Sequence, residues 1–262
     1  MFWTNLLYVA VLALFHMILF FSIAIMDKNN VAIDMAWSLG FMLVALVTII
    51  RTGTFEPRQM LITTLVLIWG FRLTIFLFFR ALQMKGLRNF SYKQPKGTVT
   101  KKPTVKELAQ GVLVQMGLML IVLLPVIFVN SSMDSTLTAL DIVGVGLWFV
   151  GFVFQAVSDL HLYLFKKKPK NQDKLLTTGL WALTRHPNYF GEICMWWGIW
   201  LMALSIRGGF YTIIGPLTIT YLLLFVSGVP MVEKQYEKNK AYQKYKQRTS
   251  KFIPCFRRKG KQ

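Results

Sequence analysis

The chain has 262 residues, 55% of them hydrophobic, with 30 Lys and Arg against 11 Asp and Glu, a formal net charge of +19. Several apolar runs approach the roughly 20 residues that span a bilayer, which excludes a soluble domain; the cations lie between those runs, the pattern of a cytoplasmic membrane face rather than of nucleic-acid binding. Cys194 and Cys255 are the only cysteines, so no disulfide framework is implied, and His16, His161 and His186 show no paired Cys/His spacing, so no metal site is expected.

Seven spans are predicted: about Trp3–Met26, Val31–Ile50, Gln59–Phe79, Leu108–Val129, Ala139–Phe165, Pro187–Ser205 and Phe210–Met231. They form one integral membrane domain over residues 1–262, an all-α, seven-transmembrane-helix bundle. The first run has no Lys or Arg before Lys28 and is long enough to span, so it is read as a transmembrane helix rather than a cleaved signal. With this count, 26 of the 30 Lys and Arg fall on one side, Arg51, Arg58 and Arg207 on the other, and Arg72 inside a span. The positive-inside rule gives an external N-terminus and a cytoplasmic C-terminus in a multi-pass protein of the cell membrane.

The second span opens with Asp34 in its first turn or so. It is either a helix-end charge stabilised by the dipole or, if deeper, a carboxyl with a raised pKa that serves as a proton donor. The third span carries Arg72 near its middle, where a cation needs a partner inside the bundle, and Asp34 is the expected one. The basic loop from Arg80 to Lys106, with Pro95 and Gly97, reads as a surface segment drawn to lipid headgroups. The fourth span contains Pro125, tolerable in a packed bundle, and the loop after it has Asp134 and Asp141 but no basic residue.

Gly144, Gly146 and Gly151 in the fifth span permit close helix contact. Gln155 and Asp159, four apart, share a helix face and point an amide and a carboxylate at one ligand, such as a ribose or carboxamide. Lys166 and the lysines after it meet phosphates or serve as solvated interface anchors. The stretch Leu176–Glu192 sets polar and hinge residues against the start of the sixth span, an unusual density of polar groups at a membrane boundary. Pro187 suits the first position of a helix, whose free N–H groups and dipole, reinforced by Arg185 and His186, make a site for phosphate. Glu192 lies on the helix face of Asn188. A basic tail helix follows over about 232–262, with Tyr242 and Tyr245 on one face. It lies on the membrane surface or folds back over a cofactor pocket.

Arg185-His186-Pro187-Asn188-Tyr189-Phe190-Gly191-Glu192, with Gln155-x-x-x-Asp159 upstream and Tyr245 to Pro254 downstream, resembles the steroid 5-alpha-reductase superfamily, in particular its bacterial branch. Asp34-x-x-Trp37 and Trp69-Gly-x-Arg72-Leu73 extend the resemblance over most of the chain. It implies a seven-helix bundle that holds NADPH in a cytoplasm-facing cavity and reduces a C=C bond conjugated to the carbonyl of an apolar, steroid- or lipid-like substrate. In that reading Gln155, Asp159, Lys166, Arg185, His186, Asn188, Tyr189, Glu192 and Tyr245 bind the cofactor. Gln155 stands where an asparagine is usual. The third span contains no tyrosine, so Arg72, with Asp34, stands in as the hydrogen-bond donor to the carbonyl. Arg-His-Pro-x-Tyr-x-Gly and a late Glu before Tyr-x-x-Tyr are likewise similar to isoprenylcysteine carboxyl and phospholipid methyltransferases, which use S-adenosylmethionine. A third reading is a non-enzymatic lipid-binding membrane protein. Membrane lipids and an apolar small molecule are the expected partners, with no nucleic acid and no obligate protein partner.

Overall fold

The computed structural model describes residues 1–27, 31–86, 105–134 and 136–255. Among these, the regular elements are helical. They are α1 (Phe2–Asp27), α2 (Val31–Thr52), α3 (Pro57–Gly86), α4 (Val105–Val122), α5 (Leu124–Asn130), α6 (Ala139–Lys167), α7 (Leu180–Leu183), α8 (Pro187–Ala203), α9 (Ile214–Tyr221), α10 (Val229–Gln235) and α11 (Lys240–Arg248). Short 3-10 turns at Pro169–Asn171 and Gly209–Ile213 and a π-helical turn at Leu222–Val226 complete the set. The part of the basic loop between α3 and α4 that follows Gly86, and the tail after Cys255, lie outside the described residues.

The long helices are apolar on more than one face. In α1, Val9, Ala13 and Met17 are buried, yet the outward stripe is Trp3, Leu7, Val11 and Phe15. Water does not tolerate so large an apolar face on a folded protein, and lipid does. Five stretches are long and apolar enough to cross a membrane: Phe2–Met26, Ala32–Thr52, Pro57–Leu82, Ala139–Lys167 and Gly209–Gln235. A sixth is composite, because Ala109–Val122 and Leu124–Asn130 meet at a 56° bend. Pro125 in the first turn of α5 explains it: the ring removes an N–H and clashes with the preceding turn. The protein is therefore a multi-pass helical membrane protein. The seven expected spans reduce to five or six by this measure, because α8 has 17 residues, about 25 Å at 1.5 Å per residue. Within the expected tail helix over about 232–262, the described residues form α10 and then α11 with its Asn239 cap, and the part after Cys255 lies outside them.

The chain divides into two compact units, Met1–Gly144 with Ile199–Thr218, and Val145–Gly198 with Ile219–Gln262. In the first, α1, α2, α3 and α5 enclose Phe41, Ile62, Leu123 and Ile127. Its core also carries a polar network. The Asn130 amide donates to Ala45 O at 3.1 Å, Thr48 Oγ1 at 3.0 Å and Thr63 Oγ1 at 3.0 Å. Arg58, read from sequence as a loop cation, is fully buried. Its Nε donates to Asp141 Oδ1 at 2.9 Å, Nη2 to Asp141 Oδ2 at 3.1 Å and to Thr136 O, and Nη1 to Asp134 O at 3.4 Å. The two aspartates that looked baseless in the sequence thus have their base 83 residues upstream of Asp141, too far for a local pattern to reveal.

Candidate functional site

In the second unit the site begins with a helix contact. A side chain on Gly151 of α6 would collide with Gly191 O, and one on Gly191 of α8 would collide with Gly151 O, so the two helices approach as closely as backbones allow. From that contact the i, i+4 spacing carries Gln155 and Asp159 along α6 and places Asn188 and Glu192 on one face of α8. The faces meet as two rungs. Gln155 Nε2 donates to Glu192 Oε2, and Asn188 Nδ2 donates to Asp159 Oδ1 at 3.3 Å. Trp196 Nε1 donates to Glu192 Oε1 at 2.7 Å. Gln155, Asp159 and Glu192 are all buried.

Beyond α6 the chain turns back at Gly179, whose φ of 61° is open to glycine and strained for other residues. Trp181 Nε1 donates to Ser158 O at 3.2 Å, fixing this return on α6. The Leu183–His186 segment is then covered by the C-terminal strap, α11 and the residues after it. Arg185 N donates to Ser250 O at 2.9 Å and Cys255 N to Leu183 O at 3.1 Å, while Tyr245 Oη donates to Trp181 O.

At the centre of the covered segment stands Glu233 of α10. Its Oε1 accepts from Arg185 Nη2 at 2.6 Å and lies 3.6 Å from His186 Nε2, and its Oε2 is 3.4 Å from Lys246 Nζ. Arg185 Nη1 reaches Lys246 O at 2.9 Å and Thr249 O at 3.3 Å. Burial, aided by the charge of Arg185 and opposed by Glu233, pushes the His186 imidazole down to about 4, so it is neutral at physiological pH. Burial and the neighbouring Glu233 charge push the Tyr242 phenol up to about 12, and burial raises that of Tyr245 as well. Three buried polar atoms here lack a hydrogen bond: Arg185 Nε, His186 Nε2 and Tyr242 Oη.

Several residues expected to meet phosphate have neighbours of their own within the protein. His186 does not carry the positive charge a phosphate needs; its ring stacks on Tyr189 at 5.6 Å and an interplanar angle of 9°. Arg185 ties the strap to Glu233 instead of facing an open anion site. Lys166 Nζ closes a loop by donating to Gln172 O at 2.6 Å and Lys174 O at 2.8 Å. Even the Tyr189 amide at the start of α8 is taken, by Asn188 Oδ1 at 3.0 Å. Several donors around this helix start are thus already paired within the protein, while Arg185 Nε and His186 Nε2 are buried without a hydrogen bond.

The nine residues expected to bind cofactor all belong to the second unit, whereas Asp34 and Arg72 belong to the first. Asp34 is exposed in the first turn of α2 and feels the charge of Arg80. Arg72 is half-buried in α3. Glu233, read from sequence only as the late Glu of the methyltransferase-like motif, and Tyr242, read as part of a tail helix that lies on the membrane or folds back over a cofactor pocket, complete the cluster. An acidic residue inside a strongly basic tail was the available signal.

No solved structure matches the chain. A 63-residue stretch is 36% identical to a protein of Ustilaginoidea virens named probable O-methyltransferase ustE, over 24% of this chain and 20% of that protein. The match therefore spans about a fifth of that relative's length. A family model described as "Protein of unknown function (DUF1295)" matches residues 20–249. The chain belongs to the DUF1295 family, within the steroid 5-alpha-reductase-like superfamily.

Proposed function

We propose that this protein is a membrane reductase that uses NADPH to saturate a C=C bond conjugated to the carbonyl of an apolar, steroid- or lipid-like molecule. The observation that carries the reading is the pair of buried rungs, Gln155–Glu192 and Asn188–Asp159, together with three buried polar atoms, Arg185 Nε, His186 Nε2 and Tyr242 Oη, that have no hydrogen bond within 3.5 Å. Amides facing carboxylates suit the hydroxyls and carboxamide of a nucleotide cofactor, and unpartnered buried donors suit a polar ligand that completes them. Bound NADPH would supply a hydride. The chain's own part is to orient that cofactor through Gln155, Asp159, Asn188 and Glu192, with the Tyr189 and Tyr245 rings beside it. For the substrate carbonyl the superfamily resemblance nominates Arg72 and Asp34, whose hydrogen bonds would stabilise charge growing on the oxygen. Membership of a steroid 5-alpha-reductase-like superfamily is compatible with this reading.

A second reading, methyl transfer from S-adenosylmethionine, is favoured by the fungal match and by one feature of the site. Arg185 and Lys166 are engaged within the protein and His186 is neutral, so the phosphates of NADPH find few of the expected cations. For topology we count α8 and the α4–α5 pair as spans, which restores seven, with an external N-terminus and the site on the cytoplasmic side of the cell membrane.

Titration of the purified protein in detergent with NADPH and, separately, with S-adenosylmethionine tests the assignment. Saturable NADPH binding, weakened at least about tenfold (about 1.4 kcal/mol) by Asn188→Ala, is the expected result. Saturable binding of the methyl donor without NADPH binding selects the second reading, and binding of neither leaves a lipid-binding protein.

A further inference from the structure

The strap has two faces, and only one has been accounted for. Inward, Tyr242 is buried, Tyr245 is bonded to Trp181 O, and the ammonium of Lys246 is 3.4 Å from Glu233. Outward, Lys240, Lys244 and Arg248 recur every four residues along α11 and are all exposed. That spacing sets them in one stripe on a single helix face. The sequence of α11, KAYQKYKQR, contains no acidic residue to neutralise them. Exposed Lys234, Lys238 and Lys251 extend the positive charge beyond both ends of the helix, with Glu237 the one carboxylate among them.

The height of this stripe is fixed by the chain before it. The apolar stretch Gly209–Gln235 ends five positions before Lys240. Even fully extended, that connection reaches only about 17 Å at about 3.4 Å per residue, so the stripe starts close to the membrane surface. A cationic helix held there by an apolar span is matched in charge by an anionic leaflet, which attracts each such Lys or Arg.

We infer that the outward face of α11 is a binding surface for anionic lipid headgroups, and that headgroup binding clamps the strap over Leu183–His186. The clamp follows from the hydrogen bonds already described. The Arg185 amide and guanidinium are held by Ser250, Lys246 and Thr249, and Cys255 N closes on Leu183 O. Anchoring α11 to the leaflet therefore slows opening of these bonds. The inference stands whichever cofactor the site takes.

The test is hydrogen exchange, followed by mass spectrometry, on the full chain in nanodiscs of phosphatidylcholine alone or with about one-third phosphatidylglycerol. The backbone amides of Arg185 and Cys255 report the latch. With phosphatidylglycerol present, exchange across Leu183–His186 and Lys246–Cys255 slows by roughly tenfold or more, the scale expected of three cations at an anionic surface. Combining Lys240→Gln, Lys244→Gln and Arg248→Gln keeps good helix formers at each position and abolishes the difference. Combining Lys167→Gln, Lys168→Gln and Lys170→Gln removes the same charge elsewhere and preserves it. Equal exchange in the two lipids, as expected if the stripe serves an acidic protein instead, overturns the inference. So does a lipid effect that survives in the α11 variant or is lost in the loop variant.

Discussion

Arg58 in the first unit and Arg185 in the second are both buried and both paired with a carboxylate, yet their surroundings differ. Around Arg58 all three guanidinium nitrogens have acceptors, and Thr138 and Ser205 add hydrogen bonds to Asp141 Oδ2 at 3.1 Å and 3.3 Å. Around Arg185 the same kind of pair leaves Arg185 Nε, His186 Nε2 and Tyr242 Oη without hydrogen bonds. A closed network of buried polar groups fixes a fold, whereas an open one costs stability that a polar ligand can restore. The contrast separates a structural lock from a site.

The largest effect is expected at the lock. Arg58→Ala leaves Asp141 buried and uncompensated, a loss of about 3–5 kcal/mol, and should give the greatest fall in melting temperature in detergent. Next comes the pH response of the open cluster. His186 is held at about 4 when folded, below its ordinary 6.5, so the unfolded chain takes up the proton first as pH falls. Its contribution is complete above pH 6.5, declines as pH drops toward 4 and levels off below, about 3 kcal/mol in all. Melting followed from pH 7 to 4 should show this slope, and His186→Gln should flatten it. An unchanged slope in the variant would remove His186 as its source.

Smaller, and different in kind, is Glu233→Gln. It keeps the shape of the cluster but removes the charge that orders Arg185 and Lys246, and should weaken cofactor binding by about tenfold while melting falls less than in Arg58→Ala. The smallest effect belongs to Tyr242→Phe, which deletes a buried hydroxyl that has no partner. Melting should shift by the equivalent of less than about 1 kcal/mol, and upward if at all. Thr63→Val in the closed network, where Thr63 accepts from Asn130 at 3.0 Å, should lower it by about 1–3 kcal/mol. Equal costs at Tyr242 and Thr63 would erase the contrast.

Much of the architecture was legible because long apolar runs have few alternatives to spanning a bilayer. The Pro125 break was visible as a residue, though not as a bend of 56°. In the site, spacing showed that Gln155 shares a face with Asp159, and Asn188 with Glu192. That these faces oppose each other depended on the Gly151–Gly191 approach between two helices, which one-dimensional periodicity does not encode. The internal partners of Arg185 and Lys166 were hidden for a related reason. Their acceptors are main-chain carbonyls of Lys246, Thr249, Gln172 and Lys174, and a carbonyl leaves no trace in residue identity. Arg58 and Asp141 were both noticed and not connected, since a long loop closure lies between them.

The most direct measurement is thermal melting with and without saturating NADPH or S-adenosylmethionine, in the wild type, Glu192→Gln and Thr63→Val. One cofactor should raise the melting temperature of the wild type. Thr63→Val should melt lower yet keep the full rise, and Glu192→Gln should lose it, because binding to the folded state alone stabilises by mass action. No rise with either cofactor, or the same rise in Glu192→Gln as in the wild type, would contradict the assignment of the second unit's open cluster as the site.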